Sequence, residues 1–145
     1  TPPPAAAALT PDEKAYYDYV APRLHDLVAE LNLLAAMGSQ KSRNIIVLER
    51  HYTRASDLID EIQKYQASHP LPDRFAPAAT PLAAGVAEVN SAMSNAESAF
   101  YKLQFAKLGP LLAEFKGGAA TIDEAVTLLD QLGGGSPVAI GSATP

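Results

Sequence analysis

Residues 44–66, NIIVLERHYTRASDLIDEIQKYQ, place Ile45, Leu48, Tyr52, Ala55, Ile59 and Ile62 at alternating spacings of three and four. At roughly 100° per residue these six positions share one face of a helix. Glu49, Arg50, Arg54, Asp57, Asp60, Glu61 and Lys64 fall outside that sector, and the Asp60 to Lys64 spacing suits an i,i+4 ion pair of about 0.2–0.5 kcal/mol. A helix with one apolar stripe gains most of its stability by burying it. The rest of the chain must therefore supply partners of similar length and period.

Upstream, Thr10-Pro11-Asp12-Glu13 carries a capping residue, a proline at the first helical position and a glutamate three residues after the cap. Tyr16, Val20, Leu24, Leu27, Leu31 and Leu34 then follow one face until Gly38-Ser39. Pro22 removes one helical hydrogen bond and crowds the Asp18 carbonyl, which predicts a kink near Tyr19. The short link around Gly38 to Lys41 makes this helix and the next an antiparallel hairpin. Downstream, His69-Pro70-Leu71-Pro72 and Ala76-Pro77 disfavour helix before each proline and mark a longer crossover. Thr80-Pro81 reads as a second cap followed by proline. After it Leu82, Val86, Val89, Met93, Ala96, Phe100 and Leu103 keep the four-three alternation. Gly109-Pro110 predicts a stop and restart, followed by Leu111, Phe115, Gly118, Ile122, Ala125, Leu129 and Leu132 in one phase. Glycines cost helix stability, and Thr121-Ile122-Asp123-Glu124 reads as another capping box, so a break is expected at Gly117-Gly118.

Four striped helices of about 27, 27, 27 and 22 residues would each be roughly 33 to 40 Å long. The expected architecture is an all-α four-helix bundle with up-down-up-down topology, kinked in helix 1 near Pro22 and broken in helix 4 at Gly117-Gly118. Residues 10–132 form one domain, preceded by a Pro/Ala-rich tether at 1–9 and followed by a Gly/Ser/Pro tail at 133–145. The length, 145 residues, is that of one core. Apolar residues make up 48% of the chain but 27 of them are alanine, so the core is built largely from small side chains. No run of apolar residues is long enough for a transmembrane segment.

Net charge is −5 and the cations are scattered, which disfavours nucleic acid as a partner. No cysteine is present, excluding disulfides, thiolate metal sites and cysteine nucleophiles. The di-iron bundle pattern, Glu-x-x-His on two helices, is missing: Pro22, Leu48 and Gln66 stand three residues before His25, His51 and His69. No cofactor, metal site or catalytic set is expected. Asp26 with Glu30, and Asp57 with Glu61, read as solvated carboxylates one turn apart, and Tyr16, Tyr17 and Tyr19 as an aromatic rim.

His51 is the polar residue inside an apolar sector, with Tyr52 beside it. The pair suggests a small-ligand carrier of haem or metal type using the bundle interior; the alternative is a His satisfied by a carbonyl or carboxylate of the next helix. Asn90, Ser91, Ser94, Asn95 and Ser98 form a polar, nearly uncharged strip suited to a protein partner or to self-association. The reading that best fits the composition is a non-enzymatic interaction or structural module, exported, with the Pro/Ala-rich start as its tether.

Overall fold

The computed structural model describes residues 9–40 and 44–133. Five helices follow in order: α1 Pro11–Gly38, α2 Ile45–Ser68, α3 Ala79–Tyr101, α4 Leu108–Ala113 and α5 Phe115–Leu132. The α2–α3 crossover carries a 3₁₀ turn at Asp73–Ala78, and a second precedes α4 at Phe105–Lys107. No strand occurs among the described residues. Helices α4 and α5 together make the fourth leg of an antiparallel, up-down-up-down bundle. The end of α1 at Gly38 lies against Gly109 of α4, whereas Tyr17, near its start, bonds Asp130 at the end of α5. Gly85 of α3 meets Ile122 of α5, and Val89 of α3 meets Gly118 of α5, again antiparallel.

The heptad stripes form the core. Tyr16, Val20, Leu24, Leu27, Leu31 and Leu34 of α1 are all buried, as are Leu48, Ala55, Ile59 and Ile62 of α2 and Phe115, Ile122, Ala125 and Leu129 of α5. The predicted capping box at α1 forms: Thr10 Oγ1 accepts from the Glu13 N–H at 3.2 Å, and Glu13 Oε1 accepts from the Thr10 N–H at 2.9 Å. Glu13 Oε1 also accepts from Arg74 Nε at 3.0 Å, and Arg74 Nη1 donates to the Leu132 carbonyl at 3.4 Å, so one arginine of the crossover ties the start of α1 to the end of α5. The Thr10 N–H and then Arg74 hold the Glu13 carboxyl below its usual range against the cost of its partial desolvation.

Several local expectations are corrected. The fourth leg breaks at Glu114, between α4 and α5, and Gly117 and Gly118 lie inside α5. Close packing explains Gly118, since a Cβ there would stand 2.7 Å from Val89 Cγ2. Thr121 does not start a helix; its hydroxyl donates to the Gly117 carbonyl one turn back. α3 begins at Ala79 without a side-chain cap, and Thr80 lies within it. Gly109-Pro110 sits in the first turn of α4. Leu103 leaves the stripe: the helix ends at Tyr101, and Leu103 takes a left-handed φ of 56° with its side chain 71% exposed. Pro22 lies inside α1 and causes no break in it, whether or not it bends the axis there, and the Tyr19 carbonyl accepts from Arg23 Nη1 at 2.9 Å. Leu9 packs against the core rather than belonging to a tether, and the predicted 1–9 and 133–145 segments otherwise lie outside the described residues except for Gly133, which caps α5.

Candidate functional site

Helix α2 has two flanks of opposite character. On the α1 side His51, Arg54 and Glu61 are paired across to α1. Glu30 of α1, one-tenth exposed, receives His51 Nδ1 at 2.6 Å on Oε1 and Arg54 Nε at 3.2 Å on Oε2. Arg54 also approaches Asp26 at 4.0 Å, and Arg23 Nε bonds Glu61 Oε1 at 3.0 Å. Asp26, Glu30 and Glu61 thus bind two helices together and are not arranged as an acid and a base. Asp60 and Lys64 form no ion pair with each other; the pairs of α2 run across to α1 instead.

On the α3 side α2 stands apart, with few backbone contacts, whereas α3–α5, α1–α5 and α1–α2 pack closely. A cleft of about 260 Å³ opens there. Leu48 and Tyr52 of α2, Ala96 and Phe100 of α3, and Leu108 and Leu112 of α4 supply its apolar surface, while Glu49, Thr53, Glu97 and Tyr101 stand along it. Neither Glu49 nor Glu97 has an ion pair or hydrogen bond from its side chain among the described residues. The Tyr52 hydroxyl spans the seam, donating to the Met93 carbonyl at 3.1 Å. Burial, reinforced by the Glu97 carboxylate, pushes the Tyr52 phenol up to about 12. Beyond that bridge a second hollow continues between Gln63, Gln66 and Leu71 on one side and Leu82, Val86 and Asn90 on the other.

The structure therefore separates the two residues that the sequence placed at one interior site. Tyr52 lines the cleft toward α3; His51 faces α1, satisfied by the Glu30 carboxylate as the simpler alternative required. Of the polar strip, Asn90, Ser91, Ser94, Asn95 and Ser98 are all exposed, and Asn90 borders the second hollow. Glu49 and Glu97 are invisible as site residues in the sequence because they read as ordinary surface charge. The available signal is positional: each directly follows a stripe residue, Leu48 or Ala96, and so flanks a seam.

Two further polar clusters lie elsewhere. Asp130 of α5 accepts from the Tyr17 hydroxyl at 2.6 Å and meets His25 Nε2 at 2.8 Å. Burial and then the Asp130 carboxylate push the Tyr17 phenol upward. Arg23, Tyr19, Tyr65 and His69 form a stack, with Arg23 3.6 Å over the Tyr19 ring and successive ring centroids 4.0 Å apart. Both clusters tie neighbouring helices together, and of their members Arg23 borders a hollow between α1 and α2 whose carboxylates Asp26 and Glu61 are ion-paired, which suits a structural role. Among the described residues no three His, Asp or Glu side chains are grouped to hold a metal, and no helix is long and apolar enough to cross a membrane. No protein family, curated protein or solved structure matches this chain.

Proposed function

We propose that the protein is a non-enzymatic interaction module that docks a helical segment of a partner in the open seam between α2 and α3. The observation that carries this is the cleft itself: α2 lies close to α1 but stands apart from α3, and the gap exposes a concave, mainly apolar floor, whereas the hollow between α1 and α2 is lined mostly by charged side chains. With the second hollow farther along the same seam the cleft makes an elongated, open trough, which suits a row of anchoring side chains better than an enclosed cofactor. An amphipathic helix laid along such a groove buries anchors at i, i+3, i+4 and i+7.

Large exposed apolar side chains reinforce the choice. Leu33, Ile45, Ile46, Tyr101 and Leu103 are all at the end of the bundle where the cleft lies, in the last turns of α1, the first turn of α2, the last turn of α3 and just after it. Isolated exposed apolar residues are ordinary, but grouping at one end of a molecule marks an interaction surface. The test is selection of a displayed library of helical peptides on the whole chain and on Thr53→Trp, which fills the cleft from an exposed position. Peptides with the i, i+3, i+4, i+7 apolar pattern should be enriched on the native protein and lost on the variant. Equal recovery on both would contradict the proposal.

A further inference from the structure

The docking role proposed above leaves the chemistry of the partner open, and the cleft supplies it. Its lining contains two carboxylates and no cation. Glu49 stands on α2 and Glu97 on α3, so the acids flank the apolar floor from opposite sides, and both lack a cationic partner among the described residues. Elsewhere on the same helix the pattern differs: in the hollow between α1 and α2, Asp26 and Glu61 are answered by Arg54 and Arg23. Asp57, which also lines that hollow, has no ion pair among the described residues, but two cations stand beside it there, whereas the open seam holds two carboxylates and no cation. Carboxylates on both sides of an apolar groove give it a negative potential where a docked chain would lie, and a cation carried by that chain would be attracted to it.

From this geometry we infer that the preferred occupant is a cationic amphipathic helix, its apolar face on Leu48, Phe100 and Leu112 and Lys or Arg side chains along its flanks reaching Glu49 and Glu97. The long aliphatic stems of Lys and Arg would lie along the exposed ring of Tyr101 before their charged ends meet the carboxylates. A neutral apolar helix would satisfy the floor and leave both acids partly desolvated, and an acidic one would be repelled. The selectivity therefore resides in the rims and the affinity in the floor.

The experiment uses fluorescein-labelled amphipathic peptides of about four turns, one built of Leu and Lys and the other with each Lys replaced by Glu, titrated by fluorescence anisotropy into the full chain. Three proteins are compared: native, Glu49→Gln/Glu97→Gln and Thr53→Trp, all three substituted positions being exposed so that the fold is retained. The expected result is saturable one-to-one binding of the Leu/Lys peptide, weakened roughly tenfold by the double Gln substitution with a flatter salt dependence, and abolished by Thr53→Trp. Binding of both peptides with equal affinity, lost in Thr53→Trp, would overturn the cationic preference and leave the docking cleft standing. Leu/Lys binding that Thr53→Trp leaves unchanged would overturn both. Sedimentation with phosphatidylglycerol vesicles, and of the protein alone over a concentration series, covers the other occupants. Vesicle binding or a dimer that Thr53→Trp abolishes, in the absence of peptide binding, assigns the cleft to lipid or to a second copy and rejects the inference.

Discussion

The two flanks of α2 use the same residue types to opposite ends. Toward α1, Arg23, Arg54 and His51 meet Glu61, Asp26 and Glu30, and the seam is bridged by charge laid over a leucine core. Toward α3, Glu49 and Glu97 meet no cation, the apolar stripe stays partly uncovered, and a single hydroxyl from Tyr52 bridges the gap. Ion pairs at a helix surface contribute little stability each, but a network around a carboxylate as shielded as Glu30 fixes which helix α2 leans on. A bundle needs only part of each helix surface for its core, and here the surplus is left on one flank of one helix.

The sharpest way to break this comparison is through the core that both flanks share. Ile59 is 2% exposed, so Ile59→Ala should cost about 2–5 kcal/mol in urea denaturation, while Asp60→Ala on the outer face should stay within about 0.5. Equivalent costs would mean that the stripe is misassigned. Next in size is the paired flank: Glu30→Ala removes the carboxylate that both His51 and Arg54 meet and should cost about 1–3 kcal/mol by the same measurement. A neutral result would remove the network as the reason that α2 leans on α1.

The open flank should be the more tolerant. Tyr52→Phe removes one hydrogen bond to Met93 and should cost about 0.5–1.5 kcal/mol. It also carries a pH signature. With the phenol near 12 when folded and near 10 when unfolded, the native chain holds the proton more tightly, so the stabilising contribution of Tyr52 is complete below pH 10 and is lost as pH rises toward 12. The native protein should therefore lose more stability than Tyr52→Phe over that interval; parallel curves would place Tyr52 in water. Smallest of all, Thr53→Trp should shift stability by no more than about 0.5 kcal/mol, because the new ring enters space that no side chain occupies.

Much of the fold is legible in the sequence because burial in a bundle is periodic: Leu24, Leu27 and Leu31, or Ile122, Ala125 and Leu129, reveal their faces by spacing alone. Local propensity was the weaker guide. Gly118 reads as a helix breaker but is a packing residue, small because Val89 of α3 occupies the space of its missing side chain. Leu103 continues the periodic pattern of α3, yet a left-handed turn puts it in water. The first outcome cannot be found within the segment, since it depends on where α3 comes to lie; the second follows from the end of α3 at Tyr101, which the apolar spacing does not mark. The same limit governs the site. His51 is legible as a polar residue near a stripe and its carboxylate partner is foreseeable in kind, whereas the opposition of Glu49 and Glu97 exists only once α2 and α3 are set side by side with a gap between them.

The central claim, that α2 is tied to α1 by ion pairs on one flank and open for a partner on the other, is tested most directly by mapping amide chemical shifts of the full chain during titration with the Leu/Lys peptide. The structure predicts that the perturbed amides cluster at Leu48, Thr53, Glu97 and Tyr101 and spare Asp26, Glu30 and Arg54. Perturbations centred on the α1–α2 seam, or none at saturating peptide, would contradict it.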